Sequence, residues 1–139
     1  MKVKSFEDMP VWQEARIFVK SIYELTSHEK FKKDYGLKDQ LQRAAVSIMN
    51  NISEGFERDN NKEFRNFLTY SKGSAGEVRS MLYVALDLKY ITINEFDDMF
   101  ELAVKIIKQI SNFKRYLLTY SLKEKSNRIK MLILSAFNI

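Results

Sequence analysis

Pro10 is the only proline in 139 residues, and only four glycines accompany it. Such a chain lacks the turn chemistry that a many-stranded fold needs, so it is driven toward long helices. Apolar residues recur at spacings of three and four in four long segments, the period of a helix with one buried face. Pro10 is tolerated only in a first turn, so the first helix begins after Ser5 or Asp8. Its apolar row is Val11, Ala15, Phe18, Ile22 and Leu25, widened by Trp12, Val19 and Tyr23, and it ends near Thr26 to Glu29. A charged connector, HEKFKKDYG, follows, with Phe31 and Tyr35 as expected anchors.

The second predicted helix runs from about Leu37 to Glu57, with Leu41, Ala44, Ala45, Ile48, Ile52 and Phe56 inward and Gly55 as its terminating glycine. Asp59, Asn60 and Asn61 form a short turn, which makes the next helix, Lys62 to Lys89, an antiparallel neighbour. Phe64, Phe67, Leu68, Ala75, Val78, Leu82, Ala85 and Leu86 face its core side. Gly73 and Gly76 each cost about 1 kcal/mol inside a helix, so close approach of another helix is expected there. Thr92 and Glu95 have capping-box spacing and open the fourth helix, Ile93 to Tyr120. Its inward row is Phe96, Phe100, Ala103, Ile106, Ile107, Ile110, Phe113 and Leu117.

The expectation is an all-α chain, an up-down-up-down antiparallel four-helix bundle over residues 1–120, with residues 121–139 as a basic and then apolar tail. At 45% apolar residues the chain has enough to fill one core. The apolar faces of the first and third helices are wider than a lone bundle needs, which predicts a homo-oligomer. There is no cysteine, which excludes disulfides and thiolate metal sites and is compatible with a cytoplasmic protein. The opening residues lack the apolar run of a signal peptide, and no stretch has the length of a membrane span.

Arg43, Ser47, Asn51, Glu54 and Arg58 share one face of the second helix, flanked by apolar residues, and Ser74 and Glu77 repeat the spacing on the third. The antiparallel register sets Arg43 opposite Ser74 and Glu77, and Ser47 opposite Tyr70. The expected result is a structural polar network, with Arg43 pairing Glu77 and the two serines completing the hydrogen bonds. A carboxylate metal site on Glu54 and Glu77 is the alternative, but di-metal bundles need Glu-x-x-His pairs and His28 is the only histidine. No catalytic residue, metal or cofactor is therefore expected. Nor is there a phosphate-cradling loop, because Gly73 and Gly76 lie within a helix.

Charge is distributed unevenly. Residues 1–100 hold 15 Lys and Arg against 16 Asp and Glu, whereas residues 101–139 hold 8 against 2. A basic end of this kind favours a polyanionic partner, RNA, DNA or a membrane surface; the alternative is a solvated helix end whose cations complement the dipole. Lys105, Lys108, Lys114 and Arg115 are the candidate nucleic-acid-binding residues, with Tyr116 and Tyr120 near enough to stack on bases.

The elements FEDMPVWQEA at Phe6 to Ala15, YGLKDQLQRAAVSIMNNISEGFER at Tyr35 to Arg58 and FLTYSKGSAGEV at Phe67 to Val78 resemble the 23S rRNA-intervening sequence protein family. The resemblance spans about residues 6–120. It departs at Gly76, where bulkier apolar residues are usual, and in the long tail. It implies a bacterial bundle protein that assembles as a homopentamer, with no enzymatic activity and a poorly defined role. A related branch, accompanying the reverse transcriptase of diversity-generating retroelements, binds that polymerase and nucleic acid. The readings that follow are a non-enzymatic nucleic-acid-associating scaffold or, alternatively, a protein-interaction oligomer such as a reverse-transcriptase accessory subunit.

Overall fold

The computed structural model describes residues 3–136, and among these there is no strand. A 3-10 turn at Phe6–Asp8 leads into α1 (Pro10–Leu25), followed by the one-turn α2 (Glu29–Lys32), α3 (Tyr35–Glu57), α4 (Asn61–Asp87) and α5 (Ile93–Ala136). α3 packs on α4, α4 on α5, and α1 on both α3 and α5, so four long helices enclose one core. Phe18, Ile22, Leu41, Ile48, Ile52, Leu68, Val78, Leu82, Ile106 and Ile110 are fully buried in it. Each such side chain contributes roughly 1.5–3 kcal/mol by leaving water.

Local chemistry sets most of the boundaries. Pro10 occupies the first turn of α1. Asp34 caps α3 by accepting from the Leu37 N–H at 3.1 Å, and Asn60 caps α4 through the Glu63 N–H at 3.0 Å. The Thr92–Glu95 capping box forms in both directions, at 2.9 and 3.1 Å. α4 ends in a Schellman motif: the Lys89 N–H bonds the Leu86 carbonyl and the Tyr90 N–H bonds that of Ala85. Lys89 takes the left-handed conformation there, with φ 59°, where glycine would be at ease.

The connector after α1 is held by Phe31, fully buried against the Tyr90 ring at 5.3 Å, whereas Tyr35 is exposed and anchors nothing. The glycines exchange the roles expected of them. Gly55 lies within α3 and is buried, and a Cβ there would sit 2.8 Å from the Phe67 Cβ and 2.9 Å from the Phe64 ring. It is therefore a position of close approach between α3 and α4 rather than a helix terminator. Gly73 and Gly76 have nothing within 4 Å of where a Cβ would be, so no helix of this chain approaches them.

The tail differs most from expectation. Helix does not end at Tyr120 but runs unbroken to Ala136. The apolar periodicity does fade, because Leu117 is the last buried residue and every residue from Leu122 to Ala136 is exposed. What persists is helix propensity: KEKSNRIKML holds neither Gly nor Pro.

Candidate nucleic-acid interface

α5 is the longest helix and carries the most segregated charge. Its opening holds Glu95, Asp97, Asp98 and Glu101, and the remainder holds eight cations and Glu124. The four candidate cations do not share one surface. Lys105 donates to Glu14 on α1 at 3.0 Å, so its charge is largely answered within the chain. Lys108 stands on the outer face of α5, in a shallow depression that it shares with Lys105, Glu101, Phe100, Val104 and Asn112. Lys114 and Arg115 instead line a groove between α4 and α5, about 460 Å³ in volume, together with Lys62, Arg65, Asn66, Thr69 and Leu118.

That groove gathers four cations, and among the described residues no ion pair takes any of them. Lys62 and Arg65 sit in the first turns of α4, where the helix dipole adds positive potential. The groove wall is held by Asn61, whose side-chain amide donates to the Ser121 hydroxyl at 3.2 Å and whose carbonyl accepts from the Arg65 Nε at 3.4 Å. Sequence reasoning had not singled out Lys62 and Arg65. Their i, i+3 spacing at the start of a helix antiparallel to α5 was the available signal.

The tyrosines lie elsewhere. Tyr116 borders an apolar depression of about 340 Å³ with Val3, Met9, Val11 and Phe113, on the α1 side of α5. Phe113, Tyr116 and Tyr120 stack on one another along α5, with centroids 5.9 and 6.4 Å apart. The Tyr120 phenol is raised above the ordinary tyrosine range by the charge of Glu124, which also hydrogen-bonds it. A strand following the four cations would therefore not meet this stack, contrary to the juxtaposition expected from sequence.

The polar row on α3 forms a network of short side chains. The hydroxyls of Ser47 and Ser74 meet at 2.8 Å, and Asn51 donates to the carbonyl and the hydroxyl of Ser47 at 2.8 and 3.0 Å. Ser71, absent from the sequence reading, is buried and donates to the Ile48 carbonyl at 2.7 Å. The predicted Arg43–Glu77 pair is not formed among the described residues, and both side chains are exposed. Arg43 lines a polar depression on the α1 side of α3 with Tyr23, Asp39, Gln42, Asn50 and Glu54. In water, pairing two long side chains gains too little to offset their ordering. Glu54 is paired with Arg58, the residue just past the end of α3, at 3.3 Å, and Tyr70 packs on Phe67.

His28 has an acidic partner, since its Nε2 contacts the Glu95 carboxylate. That bond, with the Thr92 backbone N–H, holds Glu95 below the ordinary glutamate range. Ser21 lines a depression together with His28 and Glu95, but its hydroxyl donates to the Ile17 carbonyl and makes no bond to His28. Among the described residues there is no group of three or more His, Cys, Asp or Glu placed to hold a metal ion. No helix there is long and apolar enough to cross a membrane.

The family model for 23S rRNA-intervening sequence proteins matches residues 7–112. A solved structure from Bacteroides thetaiotaomicron, a protein of unknown function from the S23 ribosomal protein family, superposes with a TM-score of 0.69 at 22% identity. The match covers 75% of this chain and 97% of that one. At that identity the likeness shows the fold alone. No curated protein matches the chain.

Proposed function

For a chain that belongs to the 23S rRNA-intervening sequence protein family, we propose a non-enzymatic role: association with nucleic acid through the basic groove between α4 and α5. The observation that carries this reading is the convergence of Lys62, Arg65, Lys114 and Arg115 on one groove, with no ion pair to any of them among the described residues. Cations placed along a groove follow phosphates, with Asn66 and Thr69 available as further donors. No module for reading base edges accompanies them, so sequence preference is weak. Lys105 and Lys108 contribute less, one engaged by Glu14 and the other on a different face.

The test is a titration of labelled structured RNA and of duplex DNA across a salt series. Affinity falls linearly on logarithmic axes, with a slope of about −0.9 per phosphate contacted on duplex and about −0.7 on single strands. Replacing Lys62, Arg65, Lys114 and Arg115 by Gln flattens the slope without unfolding the chain, whereas replacing Lys105 and Lys108 changes it far less. Absence of binding at low salt rejects the reading.

A second reading, an oligomeric protein-interaction scaffold, is supported by large apolar side chains left exposed: Ile17 and Tyr23 on α1, Tyr83 and Val84 on α4. A homopentamer, as the family resemblance implies, would cover such faces. Light scattering separates this reading from a monomer. A reverse-transcriptase gene adjoining this one would select the accessory-subunit form of it.

A further inference from the structure

Two regions of α5 carry complementary features that no ion pair satisfies among the described residues. The first is the helix opening. Asp97, Asp98 and Glu101 are exposed, and among the described residues none of them makes an ion pair. Ile93 is 57% exposed, and Val104 completes the same face. The second region is the projecting end. It carries Lys123, Lys125, Arg128 and Lys130 against Glu124, with Leu122, Ile129, Leu132 and Ile133 exposed. It also lies beyond residue 112, where the family match stops.

We propose that the projecting end of α5, residues 122–136, docks antiparallel on the acidic opening of α5, Ile93 to Val104, in a second copy of this chain. Leu122, Lys125, Ile129 and Ile133 fall on one face at spacings of three and four, as do Ile93, Asp97, Glu101 and Val104. Laid antiparallel, Leu122 meets Val104, Lys125 meets Glu101, Arg128 lies by Asp97 and Asp98, and Ile133 meets Ile93. Apolar residues then close both ends of the contact, with opposite charges between them and Ile129 level with Asp97. Antiparallel packing also opposes the two helix dipoles. Two projecting ends laid on each other would instead bring like charges together, so the acidic opening is the better partner. The proposed contact pairs use none of the four groove cations.

The absence of cysteine makes the test direct. Full-length Glu101→Cys and Lys125→Cys variants, mixed and mildly oxidised, form a disulfide-linked dimer across the two chains, whereas a control with Lys20→Cys in place of Lys125→Cys does not. Charge reversal by Lys125→Glu with Arg128→Glu weakens self-association, followed by light scattering, about tenfold or more. Asp98→Lys with Glu101→Lys does the same, and mixing the two reversed variants restores association. All four positions are exposed, so circular dichroism should show an unchanged fold. The proposal is overturned if the wild type stays monomeric at every concentration, or if the reversed variants keep the wild-type mass. It is equally overturned if the reversed tail loses binding to phosphatidylserine vesicles or to RNA while its self-association is unchanged. RNA binding by the Lys62, Arg65, Lys114 and Arg115 groove should survive both reversals, so failure here and failure of the nucleic-acid reading are separate results.

Discussion

The two ends of this bundle are built in opposite ways. At one end the α1–α3 connector and the α4–α5 turn are joined by several contacts. Phe31 is buried against Tyr90, whose hydroxyl donates to Asp34 at 3.0 Å while Asp34 also caps α3. That bond raises the Tyr90 phenol above the ordinary tyrosine range. Glu95 both caps α5 and binds His28. At the other end α5 buries its last side chain at Leu117, is tied to Asn61 through Ser121, and then continues exposed. The closed end fixes which helices meet and in what register, while the open end adds nothing to the core and leaves surface for partners. Substitutions should therefore act on stability at the closed end and on association at the open one.

The largest effect expected is from Phe31→Ala, which empties a fully buried site and should cost about 3–5 kcal/mol in denaturant unfolding. Leu134→Ala at the open end should stay within about 0.5 kcal/mol. Equal losses at the two positions would break the contrast. Next in size is Gly55→Ala, where the added Cβ meets Phe67 and Phe64 and should cost about 1–3 kcal/mol. Gly73→Ala and Gly76→Ala enter open space within a helix and should stabilise by about 0.4–1 kcal/mol each, read from the shift in melting temperature.

A smaller gain belongs to the Schellman motif. Lys89→Gly relieves a left-handed lysine and should stabilise by about 1 kcal/mol or less, read as a higher denaturation midpoint. The smallest effect is pH-dependent. Because the Glu95 carboxyl is held below its ordinary range, its contribution is complete above the unfolded value, near pH 4, and is lost as pH falls through the lowered one. The stability difference between wild type and Glu95→Gln should therefore shrink as pH falls below about 4. A difference that stayed unchanged in acid would contradict the lowered carboxyl.

Features decided within a few residues were readable from the sequence. The Thr92–Glu95 box, Pro10 in a first turn and the core rows of α1 and α3 are of this kind, since each depends on spacing along one helix. Features decided between helices were not. Gly55 and Gly73 are alike in sequence, and only the neighbouring helix distinguishes a tight contact from open space. Arg43 and Glu77 fit the register, yet long side chains in water need not meet, whereas the short hydroxyls of Ser47 and Ser74 must. Lys62 and Arg65 become part of a basic groove only once α4 lies along α5. The tail misled for another reason. Loss of amphipathic period resembles loss of helix, but packing and helicity are separate properties.

That separation bears on the projecting end of α5. Helix formation in isolation is limited by its nucleus, since the first turn fixes several residues for a single hydrogen bond. Here the packed residues from Ile93 to Leu117 are already that nucleus. Each further turn requires only propagation, which residues such as Lys, Glu, Leu and Ile sustain close to balance. By the same reasoning the outer turns of the extension open at less cost than those beside the core. A partner that grips its outer turns need only extend an existing helix, and this lowers the ordering entropy that an unstructured tail would lose on capture.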